Sequence, residues 1–264
     1  MVGVNRESRL STRRTVTTSP VSVQLYTVRE ALQDDLQGTL NKLAEVGFTQ
    51  VEPFAFTNFP GLGEALRTAG LSAPTVHVHL LGESDEQIAA IFDAARELGI
   101  QTVIDPHVPD ERWKSAEQID ETAAQLNHAA KIAAEHGVRV GYHNHAHEFE
   151  NKVDGRNALE YLVDRLDPEV VIELDTYWVA VGGENPVEVL GRLGDRVVAI
   201  HVKDGPGTKE TKDQVAVGSG SLPIREIIEA APNALRVIEL DDSRDNRFTA
   251  VSDSFAYLTK EGLA

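Results

Sequence analysis

Eight times along the chain a short β-rich run gives way to a longer amphipathic stretch, and this repeat constrains the fold more than any other feature. The pattern predicts strands at Val21–Thr27, Thr49–Phe54, Ala73–His79, Gln101–Asp105, Arg139–Asn144, Val170–Asp175, Val197–Val202 and Leu235–Leu240. Helices are predicted at Leu32–Val46, Leu62–Ala69, Asp85–Leu98, Glu117–Glu135, Ala158–Leu166, Pro186–Leu193, Ile224–Ala230 and Ala250–Lys260. Gly47, Gly70, Gly99 and Gly137 end helical stretches directly before strands, as left-handed helix caps do. Eight βα units of about 30 residues each predict an α/β fold, a single-domain (β/α)₈ barrel over residues 21–264. A doubly wound nucleotide-binding sheet would carry a glycine-rich turn after its first strand. Here that turn reads Tyr26-Thr27-Val28-Arg29, without glycine.

Composition narrows the function. The chain has no cysteine, which excludes a thiol nucleophile, a disulfide framework and Cys-type zinc sites, and suits a cytoplasmic protein. No apolar run reaches the roughly 20 residues that span a bilayer, so no membrane partner is expected. A net charge of −17 opposes a nucleic-acid substrate. Residues 1–20 place Arg6, Arg9, Arg13 and Arg14 among Ser and Thr. They read either as a transit peptide or, the reading preferred, as a disordered extension outside the fold.

In a parallel barrel, chemistry belongs to the C-terminal ends of the strands. Those ends bring Gln24, Tyr26, Glu52, His77, His79, Asp105 and His107, then the run Tyr142-His143-Asn144-His145-Ala146-His147-Glu148. They continue with Glu173, Asp175 and Trp178, with His201, Lys203 and Asp204, and with Glu239, Asp241 and Asp242. Such crowding of imidazoles and carboxylates calls for a metal. Glu148, Asp175, His201 and Glu239 fall in register, one from each of four successive units. Three carboxylates and an imidazole suit one divalent ion, Mn²⁺ first, with Mg²⁺, Co²⁺ or Zn²⁺ as alternatives.

Tyr142-His143-Asn144-His145 with Glu148-Phe149, Glu173-Leu174-Asp175-Thr176 and His201-Val202-Lys203-Asp204 resemble the xylose isomerase-like TIM-barrel superfamily, within it the sugar phosphate isomerase/epimerase branch. Gln24-Leu25-Tyr26-Thr27-Val28-Arg29 and Val76-His77-Val78 extend the likeness over nearly the whole chain from Val21. The resemblance implies that Glu148, Asp175, His201 and Glu239 are the metal ligands. It also implies a small-molecule keto-sugar substrate, phosphorylated or not, that loses the proton α to its carbonyl to give an enediolate. Isomerase or epimerase is the first expectation, with Glu148 and Glu239 as bases on opposite sides of the sugar. A lyase that eliminates water or an aglycone, such as a keto-inositol dehydratase, is the second. A sugar-binding barrel without catalysis ranks third. An endonuclease IV-type nuclease ranks last, because Trp178 and Lys203 stand where that type carries zinc-binding histidines. Barrels of this kind commonly form oligomers, so a homo-oligomer is the expectation.

His145 is a further base candidate, against a structural hydrogen-bonded histidine. Lys203 either contacts the developing oxyanion or forms a structural ion pair. Glu52, His77 and His107 are candidate substrate contacts. Trp178 is either an apolar wall for a sugar face or core packing. His143 and His147 read as supporting or surface residues, and Glu173 and Asp241 as supporting carboxylates. The Gly218-Ser219-Gly220-Ser221 turn is either a flexible loop or a phosphate cradle.

Overall fold

A computed structural model describes residues 21–264, so the Arg-rich start and the disorder expected of it lie outside the described residues. Seven strands form one parallel sheet: β1 (Val21–Val23), β2 (Thr75–His77), β3 (Thr102–Asp105), β4 (Arg139–His143), β5 (Val171–Asp175), β6 (Val197–Val202) and β7 (Leu235–Ile238). Their order across the sheet is β1-β7-β6-β5-β4-β3-β2, so each strand from β2 on neighbours its successor and β1 meets the last. This is the order of a barrel, and the chain is a single domain of that class.

The second predicted strand departs from regularity. Residues 50–54 pair only through isolated parallel bridges, Gln24↔Glu52 towards β1 and Gln50↔Ser72 and Phe54↔His77 on the β2 side. They span the gap between the two edges of the sheet. Pro53 lies inside the run; it has no N–H to give, so a continuous ladder cannot form there. Its carbonyl still accepts from the His77 N–H at 2.9 Å.

Strands covered by helices read as nearly continuous apolar runs. Val23, Val103, Val140, Ile172, Ile200 and Val237 are all fully buried. The helices follow the predicted stretches with two local changes. The first stretch divides into Arg29–Asp34 and Leu36–Val46 because Asp35 turns extended and caps the second helix, its Oδ1 accepting from the Gly38 N–H at 2.8 Å. Two short helices, His147–Glu150 and Thr176–Val181, form where loops were expected. Gly47 ends the helix before residues 50–54 at φ 121°, and a Cβ there would stand 2.7 Å from the Phe255 ring. That position admits only glycine on both grounds.

Candidate metal centre

Side chains two apart on a strand share a face, and at the mouth this pairs Glu173 with Asp175, His201 with Lys203, and Glu239 with Asp241. Glu173 is the hub beneath them. Its Oε2 lies 2.5 Å from His77 Nε2, 3.1 Å from His143 Nδ1 and 3.1 Å from His201 Nε2. Glu52 joins the same network, its Oε1 accepting from Gln24 Nε2 at 2.8 Å and standing 2.8 Å from His201 Nε2. One carboxylate thereby orients three buried imidazoles from β2, β4 and β6, the supporting arrangement that metal-binding histidines require.

Above this hub the ligand atoms of His143, Asp175, His201 and Glu239 all lie within 4.8 Å of one another, and all four residues are buried. Three of the four residues expected at a metal are thus brought together. Glu148 is held a little apart: the Tyr142 hydroxyl donates to its Oε1 at 2.5 Å and the His145 N–H to its Oε2 at 2.9 Å. His143 takes the fourth place in the cluster. It was expected to be a supporting or surface residue, and the end of β4 brings it to the cluster beside Asp175 and His201.

The charges of the protein alone fit a cation at this point. Burial holds Glu148 up at about 8, its hydrogen bonds from Tyr142 and the backbone opposing, with Asp175 adding to the rise. Burial likewise raises Asp175 to about 6 despite Lys203 and His201. Asp175 Oδ2 makes no hydrogen bond, although Lys203 Nζ stands 2.8 Å away. These are carboxylates with too little positive charge around them, and a divalent ion would supply it. Lys203 partly fills the role: it is fully buried and lies 2.7 Å from Glu239 Oε2 and 2.8 Å from Asp241 Oδ2. Burial opposes its charge, but Asp175, Asp241 and Glu239 outweigh that and hold it cationic.

Imidazoles divide by neighbourhood. Burial would discharge His201, yet Glu173 and Glu239 raise it well above the usual range. Burial lowers His143 to about 3, helped by His201. Burial also puts His145 well below the usual range, with His143 and Lys203 adding to it. His145 Nδ1 is buried and has no hydrogen-bond partner. A neutral imidazole keeps one nitrogen able to accept a proton, and the burial that discharges it also weakens it as a base.

A cavity of about 720 Å³ opens over this arc. His77, His107, His143, His145 and Glu239 line it, so two of the expected substrate contacts, His77 and His107, face it. Glu52 stays behind the cluster, on Gln24 and His201. Trp178 also stays behind, in a small apolar group with Ala146 and Tyr177 and with its ring 6.1 Å from that of His145. Core packing is therefore what the structure gives Trp178. Tyr26 and Phe54 line the cavity too; they went unremarked as apolar contacts because no spacing relates residues on separate loops. The Gly218–Ser221 turn is neither a loose loop nor open to phosphate. Gly218 and Gly220 N–H donate to Asp204 Oδ2 at 2.9 and 3.0 Å, and Leu222 N–H donates to Oδ1 at 3.1 Å.

The profile of the xylose isomerase-like TIM barrel family matches residues 40–258. Among curated proteins, an inosose dehydratase of Lactiplantibacillus plantarum is 32% identical over 106 residues, 40% of this chain and 32% of that enzyme. An inosose dehydratase of Bacillus cereus is 35% identical over 100 residues, 38% of this chain and 30% of that enzyme. The chain thus spans about a third of the length of these relatives. Among solved structures, a sugar phosphate isomerase/epimerase from Parabacteroides distasonis superposes with a TM-score of 0.77 at 22% identity, covering 92% of this chain and 94% of that one. The IOLI protein, solved with a zinc atom, superposes with a TM-score of 0.72 at 15% identity, covering 93% and 98%. Likeness at these identities speaks for the fold. No helix among the described residues is long and apolar enough to cross a membrane.

Proposed function

This chain belongs to the xylose isomerase-like TIM barrel family, and on that premise we propose that it is a metal-dependent lyase acting on a keto-sugar or keto-cyclitol by β-elimination. The observation that carries the reading is His145, a neutral imidazole whose ring lines the cavity beside the ligand cluster. Asp175, His201 and Glu239 would hold the ion, with Glu148 or His143 as the fourth donor. When bound, a divalent ion there supplies Lewis-acid polarisation of the substrate carbonyl.

His145 accepts the proton α to that carbonyl, leaving an enediolate. The electron pair then forms the C=C bond and breaks the β C–O bond. The departing oxygen needs a proton, and the His145 imidazolium formed by the first step returns the one it took, which leaves His145 neutral again. The net change is loss of water or an alcohol, with an unsaturated ketone left behind. Lys203, held cationic among Asp175, Glu239 and Asp241, keeps these carboxylates from repelling the developing oxyanion.

A second reading, isomerase or epimerase, is favoured by the Parabacteroides neighbour; epimerisation needs an acid or base on each face of the sugar, isomerisation a single one. Glu239 lines the cavity, whereas Glu148 is engaged by Tyr142 and His145, which is why elimination is put first. Incubating the metal-loaded protein with inosose and 3-keto-glycosides in D₂O separates the two. Release of water or aglycone with formation of an enone supports the lyase. Deuterium at the α-carbon with all bonds retained supports the isomerase. Absence of exchange on every substrate, with metal bound, overturns both.

A further inference from the structure

The cavity is larger and more apolar than a sugar alone requires. At about 720 Å³ it falls within the roughly 300–1,000 Å³ of pockets that enclose drug-sized ligands, and a single pyranose ring is far smaller than those. Imidazoles and carboxylates occupy the side nearest the ligand cluster. The rest of the wall is mainly apolar, with Tyr26, Phe54, Val78, Ala90, Ile91 and Pro106, and its polar members are Thr57, Gln87 and Glu83. Tyr26 meets Phe54 edge to face at a ring separation of 5.2 Å, and Phe54 meets Phe59 at 5.4 Å. Tyr26 is 40% exposed, the large hydrophobic side chain left in water among the described residues. An aromatic held open to solvent at the rim of a pocket marks a ligand surface.

Charge selects the ligand further. Among the described residues no lysine or arginine lines the cavity, and its charged side chains apart from histidine are Glu83, Glu239 and Asp241. Arg29, beside Tyr26, is already committed: its Nη1 donates to the Tyr26 and Asp241 carbonyls at 2.9 and 3.0 Å, and its guanidinium lies 4.2 Å from the Tyr26 ring centre. The glycine-rich turn spends its N–H groups on Asp204. A phosphate ester seated against this wall would find no lysine or arginine to pair with, since Lys203 lies behind the carboxylates and is already taken by Asp175, Glu239 and Asp241.

We infer that the Tyr26–Phe54–Ile91 wall is a leaving-group subsite for an uncharged apolar aglycone, aryl before alkyl, so that the substrate class is an unphosphorylated keto-glycoside. The inference rests on the lyase reading, since the group seated there is the one that departs. Binding to the apolar wall is nevertheless measurable without turnover.

The test uses the full chain loaded with its metal and the unreactive glycosides 4-nitrophenyl β-glucoside, methyl β-glucoside and glucose 6-phosphate, each titrated by calorimetry. The aryl glycoside is expected to bind at least about tenfold more tightly than the methyl glycoside, as burial of one aromatic ring implies, and glucose 6-phosphate more weakly than either. Ala90→Trp, an exposed helix position that tolerates a larger side chain, fills the subsite, and Tyr26→Ala removes its rim. Either change is expected to bring the aryl-to-methyl ratio down to about threefold or less. Equal binding of the two glycosides, tighter binding of glucose 6-phosphate, or an unchanged ratio in both variants overturns the subsite. If aryl preference holds and the corresponding keto-glycosides neither exchange nor eliminate, the subsite stands and the lyase reading falls.

Discussion

Glu173 Oε2 lies 3.1 Å from His201 Nε2, and so the imidazole's other nitrogen is turned to the ligand arc, 2.7 Å from Glu239 Oε2. The same carboxylate oxygen reaches His77 and His143. Three histidines from separate strands are aimed by one side chain that itself offers nothing to substrate. Removing such a support typically weakens metal binding 10–100-fold. Glu173→Gln keeps the shape and loses a charge that, against burial, raises His201 together with Glu239 and His77 together with Glu52. Its expected result is a metal Kd raised about 10–100-fold, measured by competition with a chelating dye. Unchanged affinity would mean that the ligands are aimed by something else.

His145→Ala tests the proton acceptor. General-base removal ordinarily lowers rate about 10²–10⁴-fold. The expected loss lies in kcat for α-proton exchange, with metal content unchanged, because His145 bonds Glu148 only through its backbone N–H and meets His143 only by ring contact at 5.4 Å. A variant that exchanges at the parent rate would return His145 to a structural role.

The fourth ligand is decided by metal content. Glu148→Gln and His143→Ala are each purified with excess Mn²⁺ and assayed for bound ion. The resemblance assigns the place to Glu148, the geometry to His143. Loss of binding in one variant and not the other identifies the donor.

Much of the barrel was legible because each unit is punctuated locally: a β-rich run, an amphipathic stretch and a glycine. Residues 50–54 were legible as a strand by composition, but Pro53 reduces them to bridges. Asp175, His201 and Glu239 lie at or just past strand ends, where counting along the chain gives the right face. Glu148 lies beyond β4 in a helical turn, where the period changes and counting by twos fails. The apolar wall was not legible at all. Tyr26, Phe54, Ala90 and Ile91 come from three parts of the chain and meet only once the sheet curls.

Lys203 is fully buried among Asp175, Glu239 and Asp241. Breaking a buried charge group by deleting one partner costs about 3–5 kcal/mol. Lys203→Met should therefore lower the urea unfolding free energy of the metal-free protein by that order. A divalent ion restores positive charge to the same carboxylates, so metal should recover part of the loss. Equal destabilisation with and without metal would place Lys203 outside the electrostatics of the site.

Stability of the metal-free protein should fall between pH 6.5 and about 8, where Glu148 sets the slope; below pH 6.5 His143, lowered to about 3 by burial, contributes with the opposite sign. Its carboxyl is raised from 4.5 to about 8 in the fold, chiefly by burial. Below pH 4.5 folded and unfolded chains both hold this proton, and the stabilising contribution is complete. Between 4.5 and about 8 the folded chain keeps the proton and the unfolded chain has lost it, so each pH unit costs up to about 1.4 kcal/mol. Above about 8 both are ionised and the slope ends. Asp175, raised from 3.8 to about 6, adds a contribution of the same sign over its narrower range. Metal reverses the trend, because an ion favours the ionised carboxylates and its binding must expel their protons. Metal affinity is thus expected to climb from pH 5 to 8. Urea unfolding midpoints across that range, with chelator and then with saturating Mn²⁺, check both slopes. A chelator-treated protein that gains stability from pH 6.5 to 8 would contradict a protonated Glu148.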